Sequence, residues 1–166
     1  LFQTRDIGEA ARIAGDLKAM NESRKELTLK GVEEAVRQIE QDGHLTDRVL
    51  VIYLPEVHES LAGIIAGRIR EKYCKPTFVL TKAEDGVKGS GRSIEAFHMY
   101  DEMTKCKELF TKYGGHKLAA GLSLAEENIE PFRQALNNNC NLTEDDFQEK
   151  VLIDVPMPMD YVTQDF

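Results

Sequence analysis

Helical periodicity dominates the first part of the chain, from residue 6 to residue 40. Apolar positions recur there at helical spacing, and charged residues occupy the other faces. The apolar stripe consists of Ile13, Leu17, Met20, Leu27, Val32, Val36 and Ile39. About 35 helical residues would span about 50 Å, which is long for a compact domain of this size. The pattern therefore predicts a projecting connector helix, and a break near Gly31 that gives two ordinary helices is the alternative.

A strand, a helix and a second strand follow. Residues 48–54 form a continuous apolar run, which is typical of a strand covered on both faces. Residues 61–73 have helical periodicity and are followed by Pro76, which ends the helix, and residues 77–81 predict a second strand. This succession predicts a parallel pair of strands joined by a right-handed crossover.

The second half of the chain predicts an antiparallel addition to this sheet. Asp85-Gly86 is a hairpin signal, so residues 87–94 should return as a third strand. Residues 96–110 suit a helix with Tyr100, Met103 and Phe110 inward, followed by a loop at 114–116, a strand through residue 123 and a helix at 128–139. The predicted fold class is α/β: a mixed β-sheet flanked by helices, preceded by a long connector helix.

The C-terminal stretch is ambiguous. Residues 151–155 alternate apolar and polar positions before Pro156 and Pro158, which fits an edge strand or the start of a following domain, and we favour the second interpretation. The predicted division is a connector at 1–45, a domain at 46–142 and a linker at 143–166. Because the chain begins at Leu1 without a methionine, we expect it to be a piece of a longer protein.

Composition narrows the classes of partner. The net charge is −8, so the chain is not a general polyanion binder, and any contact with nucleic acid must be local. The cations available for such a patch are Lys88, Arg92, Lys112, His116 and Lys117. Three cysteines without metal-ligand spacing indicate core thiols in a reducing compartment. No signal peptide or membrane-spanning apolar run is found in the sequence, so we expect a cytoplasmic protein with no membrane partner.

Two glycine-rich motifs carry the candidate chemistry. Gly114 and Gly115 precede His116, so a ligand can approach the main-chain N–H groups while the imidazole reaches it from one side. Residues 89–93 place Arg92 between hydroxyl groups, and a guanidinium fork matches the geometry of a phosphate. By the two-residue alternation of a strand, Ser90 and Arg92 should share a face. The structural alternatives are a plain turn and a hairpin strand with a surface arginine.

The two motifs together, Ser90-Gly91-Arg92-Ser93 and Gly114-Gly115-His116-Lys117-Leu118-Ala119-Ala120-Gly121, resemble the signature of the DHH-associated domain of DHH-family phosphoesterases. Nearly the whole chain resembles RecJ-type single-stranded-DNA exonucleases within this superfamily. His58 at the start of a helix, with Gly63 and Arg68, is similar to the family pattern, although Ser60 stands where the family usually has glycine. On position alone, His58 could instead be only a helix cap.

The resemblance implies the substrate-binding part of a 5′ to 3′ single-stranded-DNA exonuclease that acts in DNA repair and recombination. It implies that Ser90, Gly91, Arg92, Ser93, Gly114, Gly115, His116 and His58 bind phosphate or substrate, with His116 also assisting the reaction. The family uses Mn²⁺ or Mg²⁺ held by a separate DHH domain. No Asp-His-His occurs in this sequence, so we expect no metal site in this chain, and a missing catalytic domain and single-stranded DNA as its partners.

Three alternatives stay open at this point. The chain could belong to a DHH-family oligoribonuclease or cyclic-dinucleotide phosphodiesterase. It could be an RNA-binding module similar to the associated domain of alanyl-tRNA synthetases. Its acidic charge also fits a non-catalytic protein-interaction fragment.

Overall fold

A five-stranded mixed sheet forms the centre of the computed structural model, which describes residues 3–148 and 153–161. The strands are β1 (Leu50–Tyr53), β2 (Thr77–Ala83), β3 (Gly86–Arg92), β4 (Phe110–Gly115) and β5 (Ala119–Leu124). The helices are α1 (Ile7–Gln41), α2 (Glu59–Tyr73), α3 (Met99–Thr104) and α4 (Ile129–Asn139). The strand order is β1-β2-β3-β5-β4, with β1 and β2 parallel and the other neighbours antiparallel. The predicted α/β class with a mixed sheet is confirmed.

Each face of the sheet has its own apolar core. On one face, α1 and α2 cover β1 and β2 through Ile39, Ile65 and Ile69, which are fully buried. On the other face, α3 and α4 cover all five strands, and the Phe78 and Phe132 rings meet edge to face with centroids 5.1 Å apart. The first core does not extend to β5 and β4, so that part of the sheet has no apolar cover on the α2 side.

The long helix α1 is confirmed and continues without a break through Gly31. Asp6 caps it by accepting hydrogen bonds from the N–H groups of Gly8 and Glu9. Its buried positions begin only at Thr28, and a Cβ at Gly31 would lie 2.5 Å from Ile65 Cδ1 of α2. The absence of a side chain at Gly31 therefore leaves room for Ile65 to pack against α1.

The predicted helix over residues 96–110 is wrong in extent. Only Met99–Thr104 is α-helical, Lys107–Leu109 is a short 3-10 helix, and Phe110 begins β4. Phe110 pairs with Leu124 of β5 and packs edge to face on Phe132, so sheet pairing and core packing override its helical spacing. Tyr100, predicted inward, is 38% exposed and stacks on Tyr113. Gly114 and Gly115, predicted in a loop, end strand β4.

The outer edge of β1 is closed by side chains of α4. The Asn137 side-chain oxygen accepts hydrogen bonds from the N–H groups of Arg48 and Val49, and the Arg133 guanidinium donates to the carbonyl of Val51. These groups replace a neighbouring strand for β1, so the edge is protected from pairing with another chain.

The three cysteines are free thiols, and the prediction that they lie in the core is confirmed for Cys106 and Cys140 but wrong for Cys74. Cys106 and Cys140 are buried core residues, and burial raises the pKa of the Cys106 thiol to about 11. Cys74 is half-buried and ends α2 in the left-handed conformation, with φ of 51°. At neutral pH the two buried thiols therefore stay protonated and act as small apolar side chains.

The C-terminal stretch is only partly described. Residues 151 and 152 of the alternating segment lie outside the described residues, and residues 153–161 contain a short 3-10 helix at Met159–Tyr161 and no strand. The division of the chain at residues 45 and 142 stays a prediction.

Candidate functional site

An uncovered half of the sheet lies beside α2. The residues that face this side from β3, β5 and β4 are Lys88, Ser90, Arg92, Ala119, Gly121, Ser123, Lys112 and Gly114. All are small or polar, whereas the opposite face of the same strands carries Val87, Leu122 and Leu124 in the core. Alternation along three neighbouring strands thus produces a polar trough with α2 as one wall.

The floor of this trough is a row of small residues. In the strand register, Ser90 lies opposite Gly121, and Gly121 lies opposite Gly114. A Cβ at Gly114 would meet nothing within 4 Å, and one at Gly121 would meet only the Gly89 carbonyl oxygen at 3.9 Å. Neither glycine has a positive φ. Because neither packing nor backbone conformation requires glycine here, the open main chain is suited to close approach by a ligand.

Helix α2 lies directly over Ser90 and Arg92. A Cβ at Gly63 would be 2.9 Å from Arg92 Nη2 and 3.6 Å from Ser90 Cβ. The prediction that Ser90 and Arg92 share a face is confirmed, and both side chains are partly exposed. Gly63 therefore provides the space in which the Arg92 guanidinium lies against the helix.

The Arg92 guanidinium has unused donor groups. Its Nη1 donates to the carbonyl of Gly91 at 2.8 Å, and within the described part of the chain Arg92 forms no ion pair. In contrast, Lys88 is paired with Glu59 and Lys117 with Glu95, each at 2.7 Å. Of the cations predicted to form a patch, Arg92 is thus available to an anion while these two lysines are already compensated.

His116 lies in the turn between β4 and β5, where its ring nitrogen Nδ1 faces a backbone N–H group. Its backbone N–H donates to the carbonyl of Ala119 at 2.8 Å, and its Nδ1 accepts from the N–H of Leu118 at 3.3 Å. Since Nδ1 is the acceptor, the proton of the neutral ring is on Nε2. The exposed imidazole therefore presents its Nε2–H donor to solvent.

Gly115, unlike Gly114, is required by the turn itself. Its φ is +153°, and a Cβ would lie 2.4 Å from the Ala119 carbonyl oxygen and 2.6 Å from the Ala120 Cα. Both contacts are with backbone atoms, so relieving them would require the main chain to shift, at a cost in free energy. Gly115 thus fixes the position of His116 relative to β5.

His58 caps α2, as the structural alternative predicted. Its Nδ1 accepts from the backbone N–H of Ser60 at 3.2 Å and contacts the Ser60 hydroxyl at 2.8 Å. Nε2 again carries the proton of the neutral ring. The residue also lines a cavity of about 760 Å³ together with Lys88 and Lys112. The capping bond therefore leaves His58 able to donate from Nε2 at this end of the trough.

Gly91 and Ser93 were predicted as site residues but lie outside the trough. Gly91 faces the opposite core, where a Cβ would be 2.5 Å from Met99 Sδ and 2.7 Å from the Phe78 ring. Ser93 is 6% exposed, and its hydroxyl donates to the carbonyl of Phe97 at 2.7 Å. Their positions fit packing and loop anchoring rather than direct contact between their side chains and a ligand.

Gly121 and Arg70 were not selected as site residues from the sequence. Gly121 enters the floor because β5 lies between β3 and β4, which local patterns do not reveal. Arg70 lines a cavity together with Arg92, and its spacing of seven residues from Gly63, which places both on one side of α2, is a signal that could have found it.

The described residues offer no metal centre. Among residues 3–148 and 153–161, no group of three or more His, Cys, Asp or Glu side chains could hold a metal ion. Over the same residues, no helix has the length and apolar character needed to cross a membrane.

Residues 46–142 match the DHHA1 domain family. The chain is 39% identical over 137 residues to the single-stranded-DNA-specific exonuclease RecJ of Salmonella typhimurium, covering 78% of this chain and 24% of the relative. It is 31% identical over 151 residues to the RecJ of Bacillus subtilis, covering 89% of this chain and 19% of that relative. The chain thus spans about a quarter or less of the length of these curated relatives.

Solved structures show the same similarity. The crystal structure of RecJ in complex with Mg²⁺ from Thermus thermophilus matches with a TM-score of 0.71 and 28% identity, over 81% of this chain and 21% of that one. A crystal structure of exonuclease RecJ bound to manganese matches with a TM-score of 0.71 and 27% identity, over 80% of this chain and 32% of that one.

Proposed function

The chain belongs to the DHHA1 domain family, and from that premise we propose that it is the substrate-binding part of a RecJ-type 5′ to 3′ single-stranded-DNA exonuclease. The family resemblance seen in the two glycine-rich motifs is confirmed by the identity of 39% to a RecJ protein. The observation that carries the proposal is the trough itself: an open glycine floor beside an arginine that forms no ion pair with a carboxylate among the described residues.

In this proposal the trough holds the sugar-phosphate backbone of one strand. Arg92 donates its guanidinium N–H groups to a phosphate, and the Ser90 hydroxyl lies on the same face to support it. Gly114 and Gly121 let the strand approach the main chain, and His116 donates from Nε2 to an oxygen of the phosphate that is cleaved. His58, at the N-terminus of α2, contacts the same DNA strand.

The acidic charge is compatible with this function because the contact is local. With a net charge of −8, non-specific attraction of nucleic acid is weak, and binding must rest on a few directed hydrogen bonds. We therefore expect binding to depend less steeply on salt than for a protein with a broad basic face.

Hydrolysis requires a second part of the enzyme, for which we propose a DHH domain in the longer protein. Structures of RecJ relatives contain Mg²⁺ or Mn²⁺, whereas the described residues here provide no ligand cluster for either ion. In this proposal residues 1–45 connect to that domain, residues 46–142 bind substrate, and residues 143–166 form a linker or the start of a following domain.

We propose a cytoplasmic location, where such an enzyme meets DNA under repair. The RecJ relatives favour this function over the oligoribonuclease, cyclic-dinucleotide and RNA-binding alternatives.

The isolated chain should bind single-stranded DNA without cleaving it. Because the described residues supply substrate contacts and no metal-ligand cluster, we expect no release of nucleotides when the purified chain is incubated with single-stranded DNA and Mn²⁺. The measurement is gel analysis of end-labelled DNA, with a preparation of Arg92→Ala as a control for contaminating nuclease. Metal-dependent cleavage that Arg92→Ala abolishes would contradict the assignment.

Replacing Arg92 by lysine should weaken binding although the charge is retained. The guanidinium fork is lost, and a charge-assisted hydrogen bond is worth about 1.5–3 kcal/mol, so the dissociation constant should rise roughly tenfold or more. Fluorescence polarisation with labelled single-stranded DNA measures the change, and a single-stranded RNA competitor tests substrate class. Arg12→Lys on the exposed part of α1 is the matched control. Unchanged affinity of Arg92→Lys would make Arg92 a structural residue.

A further inference from the structure

The 93–99 segment, which joins β3 to α3, is attached to the turn that carries His116. Ser93, the first residue after β3, donates from its N–H to the carbonyl of Leu118 at 2.9 Å. Met99, the first residue of α3, donates from its N–H to the carbonyl of Lys117 at 3.0 Å. Since both acceptors directly follow His116 in the chain, the two ends of the segment fix the backbone next to it.

One peptide group connects this attachment to the His116 ring. The Lys117 carbonyl and the Leu118 N–H belong to the same peptide group, which is planar, so fixing the direction of one fixes the other. The carbonyl accepts from Met99, and the N–H donates to His116 Nδ1 at 3.3 Å. The 93–99 segment therefore orients the imidazole as well as the backbone of His116.

The Ser93 hydroxyl group holds the 93–99 segment in its folded shape. It donates to the carbonyl of Phe97 at 2.7 Å, and the Phe97 N–H donates in turn to the carbonyl of Ile94 at 3.1 Å. Both Ser93 and Phe97 are buried, and a hydrogen bond between buried groups is costly to lose. The hydroxyl thus sets how the two ends of the segment are placed for their bonds to the turn.

Gly91 supports the same attachment from β3. A Cβ at this position would lie 2.5 Å from Met99 Sδ, so glycine leaves the space in which the fully buried Met99 side chain packs. That packing places the Met99 N–H at the Lys117 carbonyl. Gly91 and Ser93, the residues of the first motif that lie outside the trough, therefore both act on the turn of the second motif.

We propose that Ser93 is a positioning residue for His116, because its hydroxyl group keeps the 93–99 segment in the shape that orients the imidazole. The contact of His116 with DNA rests on the proposed function, whereas its attachment to the segment does not. An ion pair between Glu95 and Lys117 also joins the segment to the turn at 2.7 Å, but these side chains are 77% and 44% exposed. Such a pair is weak, so the positioning depends on the buried hydroxyl group.

Amide hydrogen exchange of the chain, followed by NMR, tests the attachment without DNA. Ser93→Ala removes the hydroxyl and keeps the N–H, and the hydrogen-bonded amides of Met99 and His116 should then exchange roughly three- to tenfold faster. Thr28→Val on α1 is the matched control, because the hydroxyl of this buried residue donates to the carbonyl of Arg24 at 2.8 Å. It should leave the exchange of both amides unchanged.

Three outcomes of this experiment would overturn the role of Ser93. Equal acceleration by Ser93→Ala and Thr28→Val would show that both act only through overall stability. No acceleration by Ser93→Ala would show that the turn holds its position without the hydroxyl. A Ser93→Ala chain that does not fold, as judged by circular dichroism, would show that Ser93 supports the whole fold and not the turn in particular.

A double-mutant cycle with labelled single-stranded DNA tests what the attachment does. Ser93→Ala should raise the dissociation constant roughly three- to tenfold in the wild-type chain and leave it unchanged in a chain that already carries His116→Ala. Additive effects, or no effect of Ser93→Ala where His116→Ala weakens binding, would overturn the positioning role. A wild-type chain that does not bind DNA would overturn the proposed function, while the exchange experiment would still decide the attachment of His116.

Discussion

Replacing His116 by alanine is expected to lower turnover of single-stranded DNA by roughly 10²–10³ in the longer protein that we propose to be a nuclease, while the thermal stability of this chain stays nearly unchanged. The side chain is exposed, and its hydrogen bond within the described residues is the acceptor bond of Nδ1 from Leu118. Its removal therefore leaves no buried group unpaired. In the proposed function, what is lost is the Nε2–H donor for a phosphate oxygen whose negative charge grows in the transition state.

Single-turnover cleavage measures the chemical step separately from binding, and differential scanning fluorimetry measures the melting temperature of the chain. His44→Ala is a suitable control, because it removes an imidazole that contacts Asp47 and lines neither the trough nor its cavities. A large fall in melting temperature, with normal specific activity of the protein that remains folded, would show that His116 is structural.

The adjacent glycines of the same motif should respond in opposite ways to alanine. Gly115→Ala places a methyl group 2.4 Å from the Ala119 carbonyl oxygen at a φ of +153°, so we expect a loss of about 2–4 kcal/mol in the free energy of unfolding. In Gly114→Ala the added methyl group has no heavy atom within 4 Å, so we expect the free energy of unfolding to change by less than about 0.5 kcal/mol. Its methyl group instead obstructs the floor and should weaken binding of single-stranded DNA.

Urea unfolding of the two variants gives the stability difference, and polarisation titrations of Gly114→Ala give the binding effect. Gly15→Ala on the exposed part of α1 controls for an added methyl group, since a Cβ there also has open space and α1 does not form a wall of the trough. Equal stability of both variants would show that the turn does not depend on Gly115. Wild-type affinity of Gly114→Ala would remove Gly114 from the binding surface.

The sequence by itself determined the features that depend on neighbouring residues along the chain. Helical spacing predicted α1, α2 and α4, the continuous apolar run predicted β1, and Asp85-Gly86 predicted the hairpin between β2 and β3. Alternation also placed Ser90 and Arg92 on one face. These predictions succeeded because the physical cause, a period of 3.6 or 2 or a turn conformation, acts over a few residues.

The extent of α3 was not determined in this way. Residues 96–110 have an apolar pattern that a helix could bury, yet Phe110 joins β4. Its ring packs on Phe132, which lies far along the chain, and its backbone pairs with β5. The stabilisation from these distant contacts outweighs local helical preference, and no local pattern could reveal it.

Only the tertiary structure decided which glycines line the trough. Gly91 belongs to the predicted phosphate motif but faces the core, whereas Gly121 joins Ser90 and Gly114 in the floor. Arg70 and Arg92 line a common cavity because α2 lies over β3. The physical reason is that a sequence records the alternation of faces along each strand, while strand order and helix placement depend on burial of both cores together.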